Sequence, residues 1–176
     1  MCADLTAKDV LDYLKDSYKD AHYFVPNVYF FGHPYCETDA LIVRTNGILV
    51  DVEIKVSKAD YFADFKKTQK HKILEFGYYT LPHDTYQKLK ETDKRRTKVK
   101  AGEPIYTDRP NRFYFCVPEN LIKKKDLPKY AGLLYVMKDG SIKKIKEAKL
   151  LHSERVEFDK ILCRKFYFRL LNCQNN

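Results

Sequence analysis

Apolar positions along this chain change period from one stretch to the next, and the changes outline its elements. Residues 40–43 and 48–56 are rich in β-branched and aliphatic side chains. In the second run Val50, Val52, Ile54 and Val56 share one face of an extended chain, while Leu49, Asp51, Glu53 and Lys55 share the other. Thr45-Asn46-Gly47 lies between the runs and is hairpin chemistry, because glycine accepts the left-handed conformation a tight turn requires. Two pairings are open. A two-residue Asn46-Gly47 turn pairs Asp39 with Ile54, whereas a three-residue loop over 45–47 pairs Arg44 with Ile48 and sets Asp39 opposite Glu53. The second is the expected register.

Helical periods flank this hairpin. Thr6-Ala7-Lys8-Asp9 fits a capping box, followed by Val10, Leu11, Leu14 and Tyr18 on one face. Ser57 and Asp60 open a second helix running to about residue 76, with Ala59, Phe62, Phe65, Gln69, Ile73 and Phe76 on one stripe. A strand is expected over 23–31, interrupted at Pro26-Asn27. Later, a strand over 112–117, a short helix over 119–125 and a strand over 132–136 predict a parallel crossover. Lys138-Asp139-Gly140-Ser141 then turns the chain into a last strand over 142–145. Residues 77–109 read as an irregular insertion, with a short strand at 78–81 and a helix at 84–91. Residues 153–171 predict a terminal helix whose apolar residues surround most of its circumference. It covers the sheet or docks a second copy or another protein. The pattern as a whole predicts a single α/β domain over residues 1–176, with a mixed sheet of about five strands flanked by helices.

Composition narrows the partners. A chain of 176 residues with 44% hydrophobic content can enclose one proper core. The formal charge of +9 favours a polyanion, DNA first among them. Between Lys94 and Lys100, five of seven residues are cations and none is an acid, which suits phosphate contact or a solvated loop. Tyr106 and Tyr114 are candidates for stacking on bases, although an aromatic in an apolar run usually belongs to a core. The five cysteines are scattered without a Cys-x-x-Cys pair, which points to free thiols in a reducing compartment. No signal peptide or transmembrane run is visible, so a cytoplasmic protein with no membrane partner is expected. The six glycines form no phosphate-cradling loop, and no Ser/His/Asp or Cys/His arrangement is legible.

Chemistry concentrates in the hairpin. Two carboxylates and a lysine on one face of an apolar strand are costly to bury unless they pair, bind a metal or react. In the three-residue register Asp39 and Glu53 come close enough to share a divalent cation through hard oxygens. Glu37, two residues before Asp39 on the same face, and Asp51 are the further acids. Asp9, Asp12 and Asp16 project away from the apolar stripe of their helix and read as a solvated face.

Asp39, then Glu53-Ile54-Lys55 after the hairpin, then the helix opening Ser57-Lys58-Ala59-Asp60-Tyr61-Phe62-Ala63-Asp64-Phe65-Lys66-Lys67 resemble the PD-(D/E)XK nuclease superfamily. Within it the chain is similar to small MmcB-like DNA-repair proteins often encoded by bacteriophages. Pro110-Asn111-Arg112-Phe113-Tyr114-Phe115-Cys116-Val117-Pro118-Glu119 and Tyr130-Ala131-Gly132-Leu133-Leu134-Tyr135-Val136 look similar to that subgroup too. Thr38 stands where the superfamily's motif has proline. The resemblance implies hydrolysis of DNA phosphodiesters with Mg²⁺ or Mn²⁺, in repair, recombination or phage DNA processing, and a host-cytoplasmic location for a phage product. It implies Asp39 and Glu53 as metal ligands, with Glu37 or Asp51 assisting. Lys55 then orients the attacking water, and Gln69 fixes the water or a phosphate. Candidate DNA contacts are Lys58, Lys66, Lys67 and Lys70 on the helix, with Lys94, Arg95, Arg96, Lys98 and Lys100 in the insertion. The alternative is a catalytically silent member of the fold that binds DNA or protein as an accessory factor, including an inhibitor of a host defence complex.

Overall fold

Thr6 caps the first helix as its spacing predicts. In the computed structural model, which describes residues 5–29, 37–80, 102–107 and 109–155, the Thr6 hydroxyl accepts from the Asp9 N–H at 3.2 Å and the Asp9 carboxylate accepts from the Thr6 N–H at 2.9 Å. The helix α1 (Ala7–Ser17) turns Val10 and Leu14 inward. The hairpin follows the three-residue register. Strands β2 (Glu37–Val43) and β3 (Leu49–Ile54) pair Val43 with Leu49 and Ala40 with Val52. The Arg44 N–H donates to the Ile48 carbonyl at 2.9 Å, and Gly47 sits at φ +78°. Continued outward, this pairing sets Asp39 across from Glu53.

Strand β1 (Tyr23–Tyr29) lies antiparallel on the outer side of β2. Asn27 at φ +48° absorbs the irregularity after Pro26, so the strand is not broken there. The insertion contributes a separate two-stranded ribbon, β4 (Tyr78–Thr80) with β5 (Pro104–Tyr106). The main sheet resumes with β6 (Arg112–Pro118) parallel to β3, β7 (Ala131–Val136) parallel to β6, and β8 (Ile142–Lys146) antiparallel at the edge. The chain is thus a single α/β domain on a mixed six-stranded sheet in the order β1-β2-β3-β6-β7-β8. The β6–β7 crossover holds a 3₁₀ turn, Lys124–Asp126, where a helix over 119–125 is expected. Pro128 explains this, since the residue before proline is pushed out of the helical region and Leu127 is extended at ψ 144°.

Two cores sandwich the sheet. Val10 and Leu14 pack with Ala40, Ile42, Val50, Val52, Ile54, Tyr114 and Cys116 on one face. The other face carries Phe113, Phe115, Val117, Leu133 and Tyr135 under Tyr61 and Leu74. Those last two belong to α2 (Lys58–Asp64) and α3 (Thr68–Phe76), which are separate helices where the sequence predicts one. The break at 65–67 leaves Lys67 at ψ 60° and resets the helical phase. Tyr61, Asp64, Lys70, Ile73 and Leu74 therefore turn inward. Phe62 and Phe76 of the expected stripe are 61% and 53% exposed.

Residues 81–101, with the expected helix at 84–91 and the basic run, lie outside the described residues, as do 156–176 of the expected terminal helix. Residues 151–155 are irregular rather than helical. Buried Asn111 holds them, donating to the His152 and Glu154 carbonyls at 3.0 and 2.9 Å while accepting from the Leu49 N–H at 2.8 Å. Among the described residues no helix is long and apolar enough to cross a membrane, and Cys116 is a buried free thiol.

Candidate active site

Strand alternation aims Asp51, Glu53 and Lys55 at the face covered by α2 and α3. Glu53 is 2% exposed, and three ammonium groups converge on it. Lys55 Nζ and Lys67 Nζ lie 2.9 and 3.3 Å from its Oε1, and Lys70 Nζ lies 2.6 Å from Oε2. The last contact is a charge pair without hydrogen-bond geometry, since Oε2 has no hydrogen-bond donor. The same three lysines reach Asp64, the last residue of α2, at 3.5, 2.9 and 3.2 Å. Asp64 is itself braced: His71 Nε2 stands 3.2 Å from its Oδ2. His71 also stacks on Phe65 at 4.7 Å and hydrogen-bonds Tyr130 through Nδ1. Burial alone would raise the Asp64 pKa. The His71 hydrogen bond and the lysines outweigh it and hold the carboxyl far below its usual range. Burial likewise pulls the Lys55 ammonium down, but Glu53, Asp64 and Asp60 more than offset it and raise its pKa.

Among the described residues no lysine forms an ion pair with the other two acids of the hairpin face. Asp39 accepts from the Ile54 N–H at 2.7 Å through Oδ2. Burial, reinforced by the neighbouring Glu53 charge, lifts its pKa to about 6. Asp51 is 1% exposed between strands, and neither carboxylate oxygen has a hydrogen-bond partner. Burial pushes its pKa well above the ordinary carboxylate value. Each such orphaned acceptor is expensive in a folded interior.

Asp39, Asp51, Glu53 and Lys55 therefore lie along one face of the sheet. Gln69 does not join them. The break between α2 and α3 leaves it half-buried, with no hydrogen bond to the acids, and turns its neighbour Lys70 into the cluster instead. Lys70, 3% exposed and lying over the Phe113 ring at 5.3 Å, is consequently buried where a surface contact with DNA is expected. His71 is half-buried against Phe65 and Tyr130. Glu37 is exposed at the start of β2 and forms no ion pair with the cluster. Lys58 and Lys66 are exposed, and Lys67 has 46% of its side chain exposed at the cluster's rim. Lys94, Arg95, Arg96, Lys98 and Lys100 lie outside the described residues. Tyr106 is 76% exposed, whereas Tyr114 is buried in the core. Asp64 is the member that sequence reading missed. A signal was present, because Tyr61 and Asp64 share a face at a spacing of three, as do Lys70 and Ile73, but only as two separate helical phases.

The residues that could hold a cation are Asp39, Asp51 and Glu53. Their hard carboxylate oxygens and the unmet acceptors of Asp51 fit Mg²⁺ in donor chemistry. Among the described residues no three metal-ligating side chains are gathered around one point, and the lysines hold Glu53 in the meantime. The arrangement sets buried carboxylates of the hairpin face beside the ammonium groups of Lys55, Lys67 and Lys70.

No family model matches the sequence, and neither does any curated protein. A solved structure that the chain resembles is the SPO1766 protein of unknown function from Silicibacter pomeroyi. The TM-score is 0.53 at 17% identity, over 98% of this chain and 91% of that one. That likeness concerns the fold alone.

Proposed function

We propose that this protein is a metal-dependent nuclease that hydrolyses DNA phosphodiester bonds in the cytoplasm. One observation carries the reading. Asp39, Asp51, Glu53 and Lys55 converge from two adjacent strands onto one face, with the Asp51 oxygens unpartnered. Asp39, Asp51 and Glu53 would hold Mg²⁺ or Mn²⁺. When bound, the ion polarises the scissile phosphate and lowers the pKa of a water. Lys55 keeps its proton, so its ammonium orients that water and stabilises charge developing on the phosphate. Lys67, half exposed at the rim, is the ammonium best placed to meet the phosphate, and the overall +9 charge draws DNA toward it. The apolar wall of Phe113 and Phe115 limits water around the buried groups.

A second reading has its own observation. Lysines neutralise Glu53 and Asp64 without any metal, which suits a silent nuclease fold that binds DNA or protein as an accessory factor, an inhibitor of a host defence complex included. Incubation of plasmid and single-stranded DNA with Mg²⁺ or Mn²⁺ separates the two. The nuclease cleaves only with the divalent ion, and Glu53→Ala and Lys55→Ala each lose about a hundredfold or more in rate. DNA binding with no cleavage under any divalent ion establishes the accessory factor. Cleavage undiminished in Lys55→Ala removes the assigned role of that lysine.

A further inference from the structure

Every lysine on Glu53 is shared with Asp64. Lys55, Lys67 and Lys70 each stand within 3.5 Å of both carboxylates. Such sharing has a consequence for any cation arriving at Glu53, because a divalent ion is repelled by, and competes with, an ammonium already set against the same carboxylate oxygen. The three lysines differ in how they could leave. Lys67 has 46% of its side chain exposed and can swing into water. Lys55 has a third acid, Asp60, at 3.5 Å. Lys70 has neither route: it is 3% exposed, lies over the Phe113 ring, and among the described residues forms ion pairs with Glu53 and Asp64 alone.

We infer that Lys70 is a built-in counterion, held on Glu53 Oε2 until a divalent cation displaces it, and that Asp64 is the fixed anion that receives it. Both Asp64 oxygens already lie 3.2–3.4 Å from Lys70 Nζ, so release costs one of three contacts and no passage through apolar space. Asp64 can serve in this way because it is fully buried and braced by His71. Lys70 and Asp64 are thus positioning residues, and the proposal rests on the metal-dependent reading above. The device also keeps Glu53 Oε2 from standing without a counter-charge in the interior when no metal is present, which a buried carboxylate tolerates poorly.

The test is a titration of the full chain with Mg²⁺ by calorimetry, and with Tb³⁺ by its luminescence, neither of which needs DNA or turnover. Lys70→Met keeps most of the length of the side chain and removes the competing charge, so its apparent affinity rises. Asp64→Asn removes the receiving anion, so affinity falls about tenfold, the size typical of groups that act through a ligand. Lys70→Met combined with Asp64→Asn restores affinity to at least the wild-type level, because no ammonium on Glu53 Oε2 needs a destination. Near-ultraviolet circular dichroism checks that each variant is folded. A folded Lys70→Met with unchanged or weaker affinity overturns the proposal while leaving the nuclease reading standing. Absence of Mg²⁺ and Tb³⁺ binding in both wild type and Lys70→Met overturns the metal reading and this proposal together. If Lys70→Met fails to fold, Lys70→Gln, which keeps polarity without charge, carries the same expectation.

Discussion

Asp51 and Glu53 stand two residues apart on the same face of β3 and have opposite surroundings. Glu53 meets three ammonium groups, whereas both oxygens of Asp51 are without a hydrogen bond. Both side chains are almost wholly enclosed. The difference follows from what packs over each: Lys67 and Lys70 reach Glu53, while Asp51 lies beside Leu41 and Phe113 on the neighbouring strands.

Replacing Asp51 by asparagine should therefore stabilise the metal-free protein at pH 8. An amide keeps the shape and is cheaper to bury than an unpaired carboxylate, so a gain of about 1–2 kcal/mol is expected from urea unfolding. Because burial raises the Asp51 pKa, the folded state favours its protonated form. Stability then declines as pH rises above the ordinary carboxylate range, and Asp51→Asn should flatten that decline. Divalent-dependent cleavage should drop in the same variant. A less stable Asp51→Asn would mean that the carboxylate has a partner after all.

Asp39 gives a second dependence on pH, with its midpoint near 6. Its folded pKa is raised, so its contribution to stability is present below about pH 4, the unfolded value, and is lost as pH rises through about 6. A bound divalent ion competes with that proton. Affinity for Mg²⁺ should accordingly strengthen between pH 5 and about 7, and calorimetry at a series of pH values should show the trend weakened in Asp39→Asn.

Gly132 lies opposite Tyr114 in the β6–β7 pair. A Cβ there would sit 2.3 Å from the Tyr114 ring and 2.7 Å from the Ala148 backbone nitrogen. Gly132→Ala should cost about 1–3 kcal/mol through overpacking. Adding Tyr114→Leu should recover part of the loss, read as a coupling in a double-mutant cycle by thermal or urea unfolding.

Asn111 joins β3 to residues 152–154 through three hydrogen bonds in a fully buried position. Asn111→Ala leaves the Leu49 N–H and two carbonyls unpaired. A destabilisation of about 3 kcal/mol is expected, together with faster amide exchange at Leu49. Cleavage by the surviving folded fraction should be unchanged, because no member of the acid and lysine cluster touches this side chain.

Much of this architecture is legible in the residues. Asn46-Gly47 and the alternation of Val50, Val52 and Ile54 specify a hairpin and its inward faces, and two strands between 112 and 136 joined by an expected short helix specify the parallel pair, although the connection holds only a 3₁₀ turn. The gap between α2 and α3 is not legible, because nothing between Ser57 and Phe76 is proline or glycine. The break follows from tertiary packing: Tyr61 nests against Phe65 and Phe115 and donates to the Asp126 carbonyl, while Leu74 packs into the same core. Helical periodicity continued across that gap selects Gln69, one residue from the side chain that is inside. Lys70 and Asp64 are hard to find for a further reason. Each is a poor interior residue by itself, and only their mutual proximity makes the pair acceptable.

The loop Thr45-Asn46-Gly47 lies at the far end of the hairpin from the carboxylates, yet it determines which of them face one another. Loss of a single codon there would slide β2 by one position and send the Asp39 side chain to the layer occupied by α1, with every charged residue still encoded. A small deletion remote from the carboxylates would thus be a one-step route to a scaffold of almost the same sequence in which Asp39 and Glu53 no longer face one another.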